Sequence, residues 1–232
     1  MTNQPHTFDN FLEDSSNRIA LATCKNVLEW PGEQHNPLWL YGSPGCGKSH
    51  LLESLYNHFH RFLHDNVVYI TAEDALDAFL STIDGPSEIW DAVQCCDVLL
   101  LDAVEYLDGK HSTCDLFGEM ITKKVKKKQQ VVLASCRTPD QLCVLWHALP
   151  KKAIFTAEIH QPDLQLRMRY AREYLRLYPF DISQSALEHL VENTVTFQGV
   201  EGTLNTGRLW CELYNQPLTL SWMQNYVFER KR

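Results

Sequence analysis

Between Arg61 and Lys110 the chain has no lysine and no arginine, and the same interval holds eleven acids: Asp65, Glu73, Asp74, Asp77, Asp84, Glu88, Asp91, Asp97, Asp102, Glu105 and Asp108. Affinity for nucleic acid rests largely on neutralising phosphates, so direct DNA contact through this stretch is not expected. Long hydrophobic runs are also missing. Nothing approaches the ~18 uninterrupted apolar residues that a bilayer-spanning helix needs. The opening MTNQPHTFDNF has neither a basic region nor an apolar one, which argues against a secretory leader and for a cytoplasmic chain without a membrane partner. Eight cysteines occur, at 24, 46, 95, 96, 114, 136, 143 and 211, but none forms a C-x-x-C and several fall in apolar segments. They read as reduced, buried thiols rather than a disulfide framework or a zinc site. Of His58, His60 and His64, only the last two share a helical face, and no complete tetrahedral set surrounds them; they read as surface or packing residues.

What remains is a chain of 232 residues, 44% hydrophobic, with a formal charge of −8. That suits one medium domain, or a larger one with a small appendage. The single basic run, Lys123-Lys124-Val125-Lys126-Lys127-Lys128, has no interleaved aromatics and reads as the solvated end of a helix.

Apolar periodicity alternates between two kinds along the first two thirds. Helices are expected at 17–30, 48–64, 73–80, 88–95 and 114–127, and strands at 37–41, 67–71, 98–101, 131–135 and 154–159. Strands separated by helices imply a parallel sheet covered on both faces. After Gln161-Pro162 the pattern turns helical, at 164–177, 183–193 and 201–214, broken at Tyr178-Pro179 and at a Gln198-Gly199 turn. Leu218-Thr219-Leu220 and a last helix from Trp222 to Glu229 follow. The expected architecture is α/β: an αβα sandwich over residues 1–161 and a small helical lid over 162–232.

The densest chemical signal is Gly42-Ser43-Pro44-Gly45-Cys46-Gly47-Lys48-Ser49, a full match to G-x-x-x-x-G-K-[ST] between an apolar strand and an amphipathic helix. Glycines let backbone N–H groups turn inward around phosphates. The lysine supplies a point charge, the serine a hydroxyl for Mg²⁺, and the helix N-terminus a favourable field. Asp102, at the tip of the apolar strand Leu99-Leu100-Leu101, suits the carboxylate that supports the metal. Nucleotide binding follows from these residues; hydrolysis does not.

With the phosphate loop in place, other stretches resemble the bacterial replication initiator DnaA, an AAA+ protein. They are His6-Thr7-Phe8-Asp9-Asn10-Phe11, Ser16-Asn17, Asn36-Pro37-Leu38-Trp39-Leu40-Tyr41-Gly42 and Val200-Glu201-Gly202-Thr203-Leu204-Asn205. The resemblance covers nearly the whole chain but only the initiator's AAA+ portion, with no helix-turn-helix after it and no oligomerisation domain before it. A bare module of this kind is similar to the Hda regulators, which bind ADP, contact the sliding clamp and promote hydrolysis by DnaA. The resemblance implies a nucleotide site made of Phe8, Asn10, Gly42, Ser43, Pro44, Gly45, Cys46, Gly47, Lys48, Ser49, His50 and Asp102. Ser49 and Asp102 would be the Mg²⁺ ligands. No catalytic residue is assigned.

The departures from that family concern the third phosphate. Ala103 stands where the initiator has a second aspartate, and Ser135-Cys136-Arg137 lacks the acid before its arginine. No arginine falls between Arg137 and Arg167, where a finger belongs, and Gln198 aligns with the lid arginine. An arginine finger is worth ~10³–10⁵ in rate, so little unaided hydrolysis is expected; Lys151 or Lys152 is at best a weak substitute. Glu105 reads as an early-helix acid, and Met1–Pro5 has no leucine for a clamp peptide. Gln216-Pro217-Leu218-Thr219-Leu220 imitates one but reads as structural. The expected function is a DnaA/Hda-like regulator of replication initiation that holds ADP or ATP with Mg²⁺ and docks on DnaA or another AAA+ partner. The alternatives are an active ATPase using Glu105 or Asp108, and a helicase loader or adaptor.

Overall fold

The computed structural model describes residues 5–63, 66–149 and 154–228. Contacts divide the chain into two compact units, Met1–Ser43 with Gly47–Ile159, and Pro44–Cys46 with His160–Arg232.

The first unit is built on five strands: β1 (Leu38–Tyr41), β2 (Val67–Thr71), β3 (Val98–Asp102), β4 (Gln130–Ser135) and β5 (Phe155–Glu158). They form one sheet in the order β2-β3-β4-β1-β5, with every pairing parallel. Parallel neighbours need crossovers, and these run through α2 (Lys48–Leu63), the pair α3 (Ala72–Ser81) and α4 (Glu88–Cys95), α5 (His111–Lys126) and α6 (Cys143–Ala148). Helix α1 (Arg18–Glu29) precedes the sheet. β3 and β4 are buried at every residue, whereas the edge strands β2 and β5 are mostly part-exposed. That is why Leu99-Leu100-Leu101 and Val131-Val132-Leu133 are unbroken apolar runs: helices cover both faces. Trp39 is fully buried in β1, and its indole N–H donates to Ser135 Oγ at 2.9 Å, tying β1 to the end of β4. At the opposite end, buried Asn36 donates to Gln129 O at 2.8 Å and accepts from Val131 N–H at 2.9 Å.

Helix starts follow capping chemistry. Thr71 Oγ1 accepts from Asp74 N–H before α3, and Ser87 Oγ from Trp90 N–H before α4. Two short 3₁₀ turns, Val104–Leu107 and Pro139–Gln141, were not anticipated.

The second unit packs α7 (Leu164–Leu177), α8 (Gln184–Glu192) and α9 (Phe197–Tyr214) around Ala171, Tyr174, Leu187, Leu190, Val200 and Leu204. Gln198 and Gly199 do not form a turn. They lie inside the first turn of α9, because Thr196 caps it by accepting from Gly199 N–H at 3.0 Å. Leu218 bridges Ile182 and is fully buried, so the clamp-like Gln216–Leu220 stretch is structural. The closing α-helix expected from Trp222 is instead the short α10 (Leu220–Trp222) continuing as a π-helix over Met223–Phe228. Glu229 lies outside the described residues, as do His64, Lys151 and Lys152.

The basic run is only partly solvated. Lys124 is buried, and its ammonium donates to Gln94 O at 3.1 Å and Cys96 O at 2.8 Å, closing the end of α4. A cation suits a helix C-terminus, and burial raises the cost of losing it. Lys124→Ala is expected to destabilise the fold by about 2–3 kcal/mol, because it strands two carbonyls in the interior. The exposed neighbour change Lys126→Ala is expected to stay within about 0.5 kcal/mol. Urea unfolding of the two variants checks the contrast; equal midpoints would refute it.

Candidate phosphate site

Parallel strands bring their carboxyl ends to one edge, and the residues singled out by their chemistry meet there. The loop after β1 takes positive φ at Gly45 (72°) and Gly47 (110°), a conformation that side chains with a Cβ rarely adopt. A Cβ at Gly47 would stand 3.2 Å from the Phe11 ring. The loop enters α2, whose first residue, Lys48, is buried and donates to Gly42 O at 2.7 Å and Ser43 O at 3.0 Å. Cys46, in the same loop, is buried.

Asp102 closes β3. Its Oδ2 accepts from the Ser49 hydroxyl at 2.7 Å and from the Tyr69 hydroxyl at 3.2 Å, and its Oδ1 accepts from Ala103 N–H at 2.8 Å. Tyr69, on β2, is a site neighbour that the sequence reading missed. Its signal was there: a polar-tipped aromatic one strand from the aspartate, at a register position opposite Leu100. Burial, then the charges of Asp102 and Glu53, push its phenol well above the usual range, so it stays a neutral donor.

Ala103 has left-handed backbone (φ 54°, ψ 44°), uncommon for a residue with a Cβ. It turns the chain into the 3₁₀ helix Val104–Leu107, with Glu105 as the acid of its first turn, as expected. Its Oε2 also accepts from Cys136 N–H at 3.2 Å, so it spans from the end of β3 to the end of β4. Burial above all pushes the Cys136 thiol upward, with the charge of Glu105 adding to this and that of Lys48 opposing it. Asp108, the other acid offered as a substitute base, is paired with Arg137 at 2.7 Å.

The amino-terminal residues form a strap on α2. His50 Nε2 lies 3.1 Å from Thr7 O and 3.0 Å from Asn10 Oδ1, and its ring stacks on His6 at 4.2 Å. His6 Nδ1 meets Glu53 Oε2 at 2.8 Å, and Asn57 donates to His6 O at 2.7 Å. Asn10 and His50 are thus brought together, while Phe8 sits half-buried in the turn before Asn10.

Other groupings are not made. Among the described residues no cluster of three or more His, Cys, Asp or Glu is arranged to hold a metal, and no helix is long and apolar enough to cross a membrane. His60 stacks on Tyr56, and His58 packs against Phe62. Cys24, Cys46, Cys96 and Cys114 are buried as expected, but Cys95 is exposed. Glu73, Asp74, Asp77, Asp84, Glu88, Asp91 and Asp97 all face solvent.

The profile of the bacterial DnaA ATPase domain matches residues 2–155. The chain belongs to that family. A chromosomal replication initiator DnaA of Roseiflexus castenholzii is 29% identical over 226 residues, 95% of this chain and 47% of the relative. The chain therefore spans about half the length of such DnaA relatives. Domain III of Thermotoga maritima DnaA superposes with a TM-score of 0.82 at 25% identity, over 93% of this chain and 92% of that one. AMPPCP-bound DnaA from Aquifex aeolicus gives 0.81 at 26% identity, over 97% and 68%. The DnaA likeness and the parallel sheet together make the fold AAA+ α/β.

The strap of this DnaA-family chain has a pH-sensitive component. Burial drives the His50 imidazole from its ordinary 6.5 down to about 4, only partly offset by its hydrogen bond to Thr7, with His6 lowering it further. A depressed pKa in the folded state means the neutral ring is favoured by folding. The stabilisation is full above about pH 6.5 and is lost as pH falls toward 4. Wild type is expected to lose about 2 kcal/mol more than His50→Gln across that window, a figure reduced for the ring's partial exposure. Unfolding midpoints between pH 7 and 4.5 test this; parallel profiles would count against it.

Proposed function

We propose that this chain is a nucleotide-holding DnaA/Hda-like regulator of replication initiation, cytoplasmic, with a core over 1–161 and a helical lid over 162–232. It keeps ADP or ATP with Mg²⁺ and acts by docking on DnaA or another AAA+ replication protein, with little hydrolysis of its own. One observation carries the reading: Lys48, Ser49 and Asp102 are gathered at one sheet edge, while Ala103 offers no carboxylate and turns the backbone away. These contacts support a centre that holds nucleotide, and position 103 carries no carboxylate to aim water.

The residues fit the ligand class. Gly45 and Gly47 hold positive φ, which gives the loop a turn that residues with a Cβ rarely adopt, and a hydroxyl lies 2.7 Å from a carboxylate oxygen. Mg²⁺ is commonly held by one or two carboxylates together with phosphate oxygens, so a larger protein cage is not required. The ion would supply charge neutralisation for the phosphates; Ser49 and Asp102 would hold it, and Lys48 would meet the β-phosphate side. Phe8, Asn10 and His50, with the loop residues Gly42 to Gly47, complete the proposed site. The AMPPCP-bound Aquifex relative supports an adenine nucleotide. The exposed acidic residues of α3 and α4 argue against direct DNA contact there, and the burial of Leu218 argues against a clamp-binding role for its stretch.

A second reading, an active ATPase, draws on the reach of Glu105 to Cys136 N–H. Single-turnover measurements with and without DnaA separate the two. The expected outcome is nucleotide binding that Lys48→Ala weakens at least about tenfold, with γ-phosphate release near background. Ala103→Asp is expected to fold, since aspartate tolerates left-handed backbone, and to gain little activity. Appreciable release by the isolated wild type, or a large gain from Ala103→Asp, would sink the holder reading. Baits of DnaA, helicase and clamp test the partner; retention by another bait but not by DnaA would overturn that assignment.

A further inference from the structure

We propose that the groove between α3 and the start of α4 is a docking surface for a basic protein segment, one whose lysines or arginines flank an apolar anchor. The inference goes beyond the nucleotide reading and does not depend on it, since no residue of the phosphate loop takes part.

The groove has a volume of about 380 Å³, an apolar floor and an acidic lip. Ile70 of the edge strand β2, Ala78 of α3 and Ile89 of α4 line it, together with Asp74 and Asp77. Asp74, Asp77, Ala78 and Ser81 are spaced i, i+3, i+4 and i+7, so they share one face of α3. The other side of that helix is committed to the core through Ala72, Ala75 and Leu76, all buried. Ile89 is exposed, and so are Leu80 at the end of α3 and Ile83 in the connection to α4. Exposed apolar side chains scattered singly are ordinary. Several within one short segment, rimmed by polar groups, mark an interaction surface.

Charge selects the occupant. Six carboxylates, Glu73, Asp74, Asp77, Asp84, Glu88 and Asp91, are exposed on these two helices and their connection. Among the described residues none of the six is paired with a lysine, arginine or histidine. Acids elsewhere on the surface do find cations: Glu13 meets Arg18 at 2.8 Å, Glu33 meets Lys128 at 3.4 Å and Glu173 meets Arg176 at 2.9 Å. The acids of the groove are left to a cation from outside the chain. One of them is already set in place, because the Asp74 carboxylate accepts from the Thr71 hydroxyl at 2.6 Å. Nucleic acid and an anionic membrane surface carry the wrong sign for this face. A basic segment carries the right one: complementary charge steers and orients it, and its apolar anchor is removed from water in the groove.

The experiment is fluorescence anisotropy of a labelled amphipathic leucine/lysine peptide with the full chain, alongside a leucine/glutamate peptide of the same pattern and oligolysine of the same length. The variants are Asp74→Asn with Asp77→Asn, which removes charge but keeps an acceptor for Thr71, and Ile89→Ser, which removes the apolar wall. Glu119→Gln with Glu173→Gln is the control, with the same change of net charge on other helices. Wild type is expected to bind the leucine/lysine peptide more tightly than oligolysine, to ignore the leucine/glutamate peptide, and to bind less tightly as salt rises. Both groove variants should weaken binding about fivefold or more, with the control unchanged. Equal loss in the control, or oligolysine bound as well as the leucine/lysine peptide, would mark diffuse attraction and overturn the inference. Undiminished binding in the groove variants would also overturn it, as would a dimer of the chain alone that Ile89→Ser dissociates in sedimentation, which assigns the groove to a second copy. Nucleotide affinity is expected to be the same in all of these proteins. If wild type binds no nucleotide yet binds the peptide as stated, the holder reading falls and this one stands.

Discussion

The carboxylate of Asp102 receives hydrogen bonds from three directions, and the geometry of the sheet edge depends on them. Ser49 comes from the first turn of α2, Tyr69 from β2 and the Ala103 N–H from the chain just beyond. β4 lies between β1 and β3, so the Ser49 contact spans a whole strand, reaching from the helix that follows β1 to the tip of β3. That contact orients the start of α2, and with it Lys48. The Ala103 N–H contact begins the turn that carries Glu105. A parallel sheet makes this possible, because all its strands end at the same edge; an antiparallel one would send alternate ends away.

Two features at this edge run against local preference. Alanine in the left-handed region costs about 1–2 kcal/mol relative to ordinary backbone, and a buried lysine must find carbonyl partners. Both are held by what surrounds them. The turn after Ala103 is anchored by Val104 and Leu107, each fully buried, and Lys48 is met by the carbonyls of Gly42 and Ser43. Strain that persists where the neighbourhood over-determines it is a usual companion of a working site. Here it falls at Ala103, whose left-handed backbone starts the turn that brings Glu105 to Cys136 N–H.

Much of the fold was legible because apolar periodicity and caps were unambiguous. β2, α4 and α7 occupy the expected residues, and the phosphate loop lies between strand and helix. What escaped was non-local or depended on unusual backbone. The strand order is invisible to periodicity, since β4 enters between β1 and β3 only in three dimensions. Tyr69 is a site neighbour through strand pairing, not spacing. Glu105 is the early-helix acid that its position implies, but its contact with Cys136 N–H is non-local and depends on the left-handed residue at 103. Lys124 looked solvated inside a run of lysines, because a run says nothing about which member points inward.

The residues that carried the family resemblance are largely structural. Asn17 Nδ2 donates to Leu12 O at 2.9 Å, and its Oδ1 accepts from Asp14 N–H, closing the turn before α1. Asn36 ties the approach to β1 onto β4. In the second unit Glu201 accepts from the Tyr170 hydroxyl and Asn205 from that of Tyr174, pinning α9 to α7. Such positions preserve a fold whatever the site does with its nucleotide. The strand tips carry Asp102, Ala103, Glu105 and Cys136, and substitutions there change the charge of this edge. A chain can therefore remain plainly of the DnaA family while its phosphate edge is rebuilt. Resemblance concentrated in scaffold residues fixes architecture far more firmly than it fixes turnover.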